Sequence, residues 1–188
     1  MFTDLLASLR LALASIIVCV IGYGGFILCA AVLVAPEARL GQLIEVDGQV
    51  VGSRQVAQAF TRPEYIWQRP SAVSYAADAT GGSNLSPANP LIRERAEGLL
   101  AALGATPENP APAELVLASG SGLDPHITEA AALFQADRVA QARGVSADTV
   151  RELIQAQASP IGPGDPARVV NVLLLNIELD RVAPVQAR

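Results

Sequence analysis

Leu11 to Pro36 reads LALASIIVCVIGYGGFILCAAVLVAP, and no charged residue interrupts it. Roughly 26 residues at about 1.5 Å rise make on the order of 39 Å of helix, which exceeds the ~30 Å hydrocarbon core of a bilayer and leaves room for tilt. The apolar core of a cleaved signal peptide is shorter, about 7–15 residues. A lipoprotein signal needs a small residue before its cysteine, but Leu28 precedes Cys29 and Val18 precedes Cys19. The stretch therefore reads as an uncleaved membrane span over residues 11–36, with membrane lipid as its surroundings. A short tail (1–10) comes before it and a body (37–188) after it.

Flanking charge orients the span. Arg10 and the terminal amine lie on the short side, with Asp4 contributing little, while Arg39 on the other side stands amid Glu37, Glu45 and Asp47. The slight positive excess predicts an N-terminus in the cytoplasm and a body outside the inner (plasma) membrane. Along the span, Ser8, Ala12, Ser15, Cys19, Gly22 and Cys29 follow alternating steps of three and four, broken at Phe26, with Gly25 alongside. Small residues let membrane helices approach closely, so Ser15, Cys19, Gly22, Gly25 and Cys29 are candidates for packing against a partner helix.

Composition removes several classes of function. Both cysteines lie in the span, so the body can hold no disulfide and no cysteine-based metal site. All 13 basic residues are Arg; a phosphate loop of the GxxxxGK[ST] type and Schiff-base chemistry both need Lys. His126 is the only histidine, so two-histidine zinc sites and HExxH motifs cannot form within one chain. A net charge of -5 argues against nucleic acid as a partner. The run ASGSGLDPH contains Ser119, Ser121, Asp124 and His126, but triad members normally converge from separate elements, and a nucleophile elbow would need Gly where Ser119 stands.

The body mixes short strands with helices and lacks regular βαβ alternation, which predicts a small α+β or irregular α/β domain. LIEVDGQVVGS (43–53) alternates around Asp47-Gly48 and predicts a hairpin. Phe60, Tyr65, Trp67 and Tyr75 form a candidate core cluster. Asn89 and Pro90 start an amphipathic helix through Leu103, and Gly104 stops it. ELVLAS (114–119) reads as a short strand, 127–143 as one helix stopped by Gly144, and Ser146 as the cap of a helix reaching about Gln157. The segment 158–168 reads as loop, and VVNVLLLNIELDRV as a strand leading into a helix.

Two glycine loops share a plan. TGGSNLSPANP (80–90) and SGSGLDPHIT (119–128) each place small and hydroxyl residues and a proline before a helix. Such loops can aim N–H groups at an anion, and they are also what any tight turn uses. Both readings stand at this level.

GSNLSPANP, RPSA (69–72), SGSGLDPHI, FQADRVAQARG (134–144) and VNVLLLNIELD (170–180) occur in an order that resembles the C subunit of the Kdp potassium-transporting P-type ATPase, over nearly the whole chain. Thr80, Ser86 and the loop 160–167 depart from that pattern. The resemblance implies an accessory subunit without an active site of its own, associated with a channel-like potassium-translocating subunit and an ATP-hydrolysing pump subunit. It also implies a catalytic chaperone that raises the pump's affinity for ATP, with no cofactor of its own. Gln135 matches the family glutamine for which nucleotide contact is proposed, and Gly81, Gly82, Ser83 and Asn84 match a loop likened to the signature loop of ABC transporters. A body outside the membrane could not reach cytosolic ATP. The alternative from the residues alone is a membrane-anchored extracytoplasmic binding protein for a small anion, using the two glycine loops.

Overall fold

Helical apolar sequence and mixed polar sequence separate into two units in a computed structural model of the chain, Met1–Leu43 and Ile44–Arg188. The structure describes residues 2–36, 38 and 41–185. Glu37 and Arg39, used above for orientation, lie outside the described residues.

In the first unit α1 (Phe2–Ser15) runs into a π-helical stretch (Ile16–Tyr23) and then α2 (Gly24–Val34). Together Phe2–Val34 is long and apolar enough to cross a membrane. The helix thus begins inside the predicted tail, where the Ser8 hydroxyl donates to the Asp4 carbonyl at 2.9 Å. A π-helix closes i→i+5 bonds and turns less per residue than an α-helix. Of the small residues singled out for packing, Cys19 and Gly22 lie within this stretch, Ser15 precedes it, and Gly25 and Cys29 follow in α2.

The predicted hairpin, β1 (Leu43–Val46) and β2 (Gln49–Ser53), forms at the start of the body. Asp47 and Gly48 both have positive φ, 52° and 75°, as a type I′ turn requires. Further on, α3 (Pro90–Leu103) takes its cap from the Asn89 side chain, which accepts the Leu91 N–H, and ends on Gly104 at φ 70°.

The predicted strand over 114–119 does not form. Ala113–Leu115 makes a 3₁₀ turn instead, and the Leu117 N–H returns to the Ala113 carbonyl at 3.0 Å. Among the described residues no strand pairs with it: the Leu115, Val116 and Leu117 N–H groups bond within the turn, and the Ser119 N–H donates to the Pro70 carbonyl at 2.9 Å.

The predicted helix 127–143 is also revised. Residues His126–Thr128 are β3, α4 spans Glu129–Phe134 and α5 spans Ala136–Arg143, with Gln135 at the break. Thr128 ends the strand by capping α4, its Oγ1 accepting the Ala131 N–H at 3.1 Å. Ser146 caps α6 (Ala147–Gln157) as expected. The loop 158–168 contributes β4 (Ser159–Pro160) and the first residue of β5 (Arg168–Asn171), which leads into α7 (Val172–Val182).

The sheet is antiparallel in the order β3-β5-β4, with Ile127 opposite Val170 and Ser159 opposite Val169. Pro160 sits on an edge strand, where a missing N–H is tolerated. Ile127 and Val170 of the sheet join Ala132, Val139, Val150, Ile154, Leu175 and Leu179 of the helices in one core, and each is no more than 1% exposed. Phe60 and Trp67 pack against it half-buried, so part of the aromatic cluster is core, as predicted.

Candidate functional site

The glycine loops are brought together, and they face each other. The Gly81 N–H donates to the Ser121 carbonyl at 2.8 Å. A Cβ on Gly82 would lie 3.0 Å from the Gly120 carbonyl oxygen. Gly122, at φ +71°, has even less room: its Cβ would meet Val73 Cγ2 at 2.6 Å, the Gly81 oxygen at 2.9 Å and Ser71 Oγ at 3.1 Å. Gly82 and Gly122 are thus required by close approach, to the facing backbone at Gly82 and to backbone and side chains together at Gly122. Asn84 completes the turn at φ 51°, a conformation Asn tolerates better than most residues. Ser83 faces a separate groove, lined also by α3.

The cleft between the loops, about 510 Å³, is lined by Arg69, Thr80, Ser119, Ser121 and Asp124 among others. Its one lining cation is already paired, Arg69 Nη1 lying 3.3 Å from Asp124 Oδ2. Asp124 also accepts the His126 N–H at 3.0 Å, and its carboxylate lies 3.5 Å from His126 Nδ1. The His126 ring first, then the His126 N–H and the Arg69 guanidinium, hold the Asp124 carboxyl below its ordinary range. Ser119 Oγ and Ser121 Oγ are 3.4 Å apart, and Ser121 Oγ accepts the Leu123 N–H. Both seryl oxygens thus bond within the loop itself, while His126 pairs with Asp124.

Gln135 is elsewhere. It is 1% exposed, and its side chain pairs with the backbone of Trp67 as a neighbouring strand would. Oε1 accepts the Trp67 N–H at 2.8 Å, and Nε2 donates to the Trp67 carbonyl at 3.1 Å and the Ala131 carbonyl at 3.3 Å. Arg138 Nη2 adds a 2.7 Å bond to Oε1. The amide is fully used.

Asn176, also 1% exposed, does the same for the adjacent residue: it accepts the Ile66 N–H at 2.9 Å and donates to the Ile66 carbonyl at 3.0 Å. Two buried amides therefore hold the irregular segment 62–69 as a strap. Two arginines finish the job. Arg138 donates to the carbonyls of Pro63 and Tyr65 and stacks 4.0 Å from the Trp67 ring centroid; burial pushes its pKa down to about 10. Arg143, its side chain fully buried, donates to the Glu64 and Ala183 carbonyls and pairs with Asp180 at 2.9 Å.

Sequence reasoning singled out Gln135 but missed Asn176, Arg138 and Arg143. A signal was present for Asn176, an amide inside the apolar run VLLLNIEL, because a buried amide must find partners. Among the described residues no three His, Cys, Asp or Glu side chains are placed to hold a metal. In the span, Cys19 and Cys29 are free and exposed, and a Cβ on Gly25 would meet nothing within 4 Å.

A helix fit to cross a membrane, followed by a small α+β body whose conspicuous polar groups are turned inward, defines a membrane-anchored protein. Residues 5–181 match the family described as KdpC, the c chain of the K+-transporting ATPase. Similar proteins include the potassium-transporting ATPase KdpC subunit of Parvibaculum lavamentivorans, 51% identical over 181 residues covering 94% of this chain and 96% of that one. The subunit of the same name from Sorangium cellulosum is 45% identical over 190 residues, covering 94% and 98%. That from Burkholderia ambifaria is 47% identical over 156 residues, covering 78% and 80%. The chain belongs to the KdpC family and is a membrane subunit of a potassium-transporting P-type ATPase.

Proposed function

We propose that the chain is a non-catalytic accessory subunit that seats the assembly and raises the pump subunit's affinity for ATP without touching the nucleotide. Its N-terminus is cytoplasmic, its one span packs among the channel-like potassium-translocating subunit and the ATP-hydrolysing subunit, and its body stands outside the inner membrane. ATP belongs to the pump subunit. The chain's effect on ATP binding is then a coupling between two conformations of the complex, and it lasts only as long as the chain binds one of them better.

The observation that carries this reading is Gln135. A glutamine that is 1% exposed, with both amide atoms hydrogen-bonded to Trp67, Ala131 and Arg138, has no free group to offer a nucleotide. The Gly81 N–H, pointed at the Ser121 carbonyl, has none either.

Membrane sidedness tests it. Ser159 is exposed on the edge strand β4, so Ser159→Cys in a chain carrying Cys19→Ala and Cys29→Ala gives one reporter thiol. Labelling of intact cells by an impermeant thiol reagent is the expected result. Labelling only after lysis would place the body with cytosolic ATP and overturn the proposal.

A further inference from the structure

Helix α1 begins at Phe2, well ahead of the uncharged run that opens at Leu11. The membrane-crossing helix is therefore 33 residues long, on the order of 50 Å at about 1.5 Å rise. Tilt alone does not fit that length into a hydrocarbon core of about 30 Å, because it would have to reach roughly 50°, beyond the range of about 0–40° for such helices. A tilt of about 25° brings the helix to about 45 Å, the thickness of the bilayer with its headgroups. Residues 11–34 carry no charge and give about 36 Å, enough for the core by themselves. The remaining stretch, FTDLLASLR over residues 2–10, holds Asp4 and Arg10, so the N-terminal end is the one that stands in the headgroup layer.

This stretch has two sides. At about 100° per residue, Phe2, Leu5, Leu6 and Leu9 fall within one arc of about 100°. All four are exposed. Thr3, Asp4, Ala7, Ser8 and Arg10 take the rest of the circle.

Position and side-chain size say what covers the arc. It continues, on the same helix, a segment whose surroundings are lipid, and it does so at the boundary of headgroups and acyl chains, where an amphipathic helix buries its apolar face about 5–10 Å deep. Membrane-helix faces that pack on protein are enriched in small residues. This arc is Leu and Phe throughout, while the small residues Ser8, Ala12 and Ser15 follow a different line of the helix.

We infer that residues 2–10 form an interfacial foot that sets the direction in which the span leans: the Phe2, Leu5, Leu6 and Leu9 side lies in lipid at the headgroup boundary, and Asp4 is turned to water. Arg10, at the edge of the arc, keeps its guanidinium among the headgroups. The inference rests on this helix crossing the membrane, and it holds whichever side the body occupies.

The test uses single cysteines in a full-length chain carrying Cys19→Ala and Cys29→Ala. Leu5→Cys, Leu6→Cys and Leu9→Cys lie on the arc, and Thr3→Cys and Ala7→Cys lie off it. Each is labelled with a nitroxide in the assembled complex, reconstituted in phosphatidylcholine vesicles. Power saturation then compares relaxation by oxygen, which concentrates in lipid, with relaxation by a nickel chelate, which stays in water. The oxygen-to-nickel ratio is expected to be about fivefold higher on the arc than off it, as burial of one face requires. Adding Leu5→Glu and Leu9→Glu to the Leu6→Cys chain should leave it in alkali-washed membranes, because residues 11–34 still span, while its ratio falls to that of Thr3→Cys.

Equal ratios at all five positions would overturn the inference, whether the stretch proved wholly in water or wholly in hydrocarbon. Shielding of the arc from both reagents would overturn it too, by showing protein rather than lipid against Leu5, Leu6 and Leu9. So would extraction of the Leu5→Glu, Leu9→Glu chain by alkali, since the foot would then be part of the span itself.

Discussion

The strap 62–69 and the pair of glycine loops both hold irregular backbone in place, by opposite means. The strap is fixed by added side chains: Gln135 and Asn176 bind the N–H and carbonyl of Trp67 and Ile66, and Arg138 and Arg143 collect carbonyls on either side. The loops are fixed by missing side chains, with Gly82 and Gly122 letting one backbone lie against another. Buried main-chain polar groups must be satisfied in either case. The lesson concerns function. A glutamine in a helix and a glycine-rich turn look like ligand-binding equipment in a sequence, and here both are engaged internally.

The comparison breaks most visibly at the strap. Asn176→Ala would strand the Ile66 N–H and carbonyl in the core and leave a small cavity, so a loss of about 2–4 kcal/mol is expected by denaturant unfolding of the solubilised chain. Gln135→Ala should cost a similar amount for the same reason. Its effect on the pump's ATP affinity should match that of Asn176→Ala, which touches the strap from the other side. A change in ATP affinity unique to Gln135→Ala, at equal stability loss, would restore direct contact with nucleotide.

At the loops the expected effect is somewhat smaller. Gly122→Ala adds a methyl at positive φ into contact with Val73 and the Gly81 oxygen, and should cost about 1–3 kcal/mol. Gly120→Ala is its control: φ there is not positive, nothing lies within 4 Å of the added carbon, and melting should barely change. Equal melting of the two variants would show that the loops do not depend on close approach.

The smallest effect belongs to the cleft between the loops. Asp124 has a folded pKa below its ordinary value of 3.8, so it contributes stability above that pH and loses it as pH falls through the folded value. Thermal melts between about pH 6 and about pH 3 should therefore fall less steeply for Asp124→Asn than for the parent. Because Asp124 is partly exposed, the difference will be slight. A parent curve no steeper than the variant's would remove His126 and Arg69 as its stabilising partners.

Much of the local structure was legible because its causes are local. Asp47-Gly48 forms the predicted turn, Asn89 and Ser146 cap the predicted helices, and Gly104 and Gly144 stop them at φ 70° and 71°. The errors fall where a distant partner decides. Gln135 interrupts the helix predicted across 127–143 while its amide holds Trp67, 68 positions away in sequence. Ile127 is strand because Val170 pairs with it. Residues 114–119 have strand-like composition but no strand to pair with, and they curl into a turn.

By itself, then, the sequence determined the membrane-crossing helix, the α+β class of the body, its capped helices and its family, all of which depend on run length, periodicity and short motifs. Only the tertiary structure decided which partners the conspicuous residues meet within the chain. Whether an amide or a glycine faces a ligand or the protein's own backbone depends on which segments meet, and that is set by packing between residues far apart in the chain.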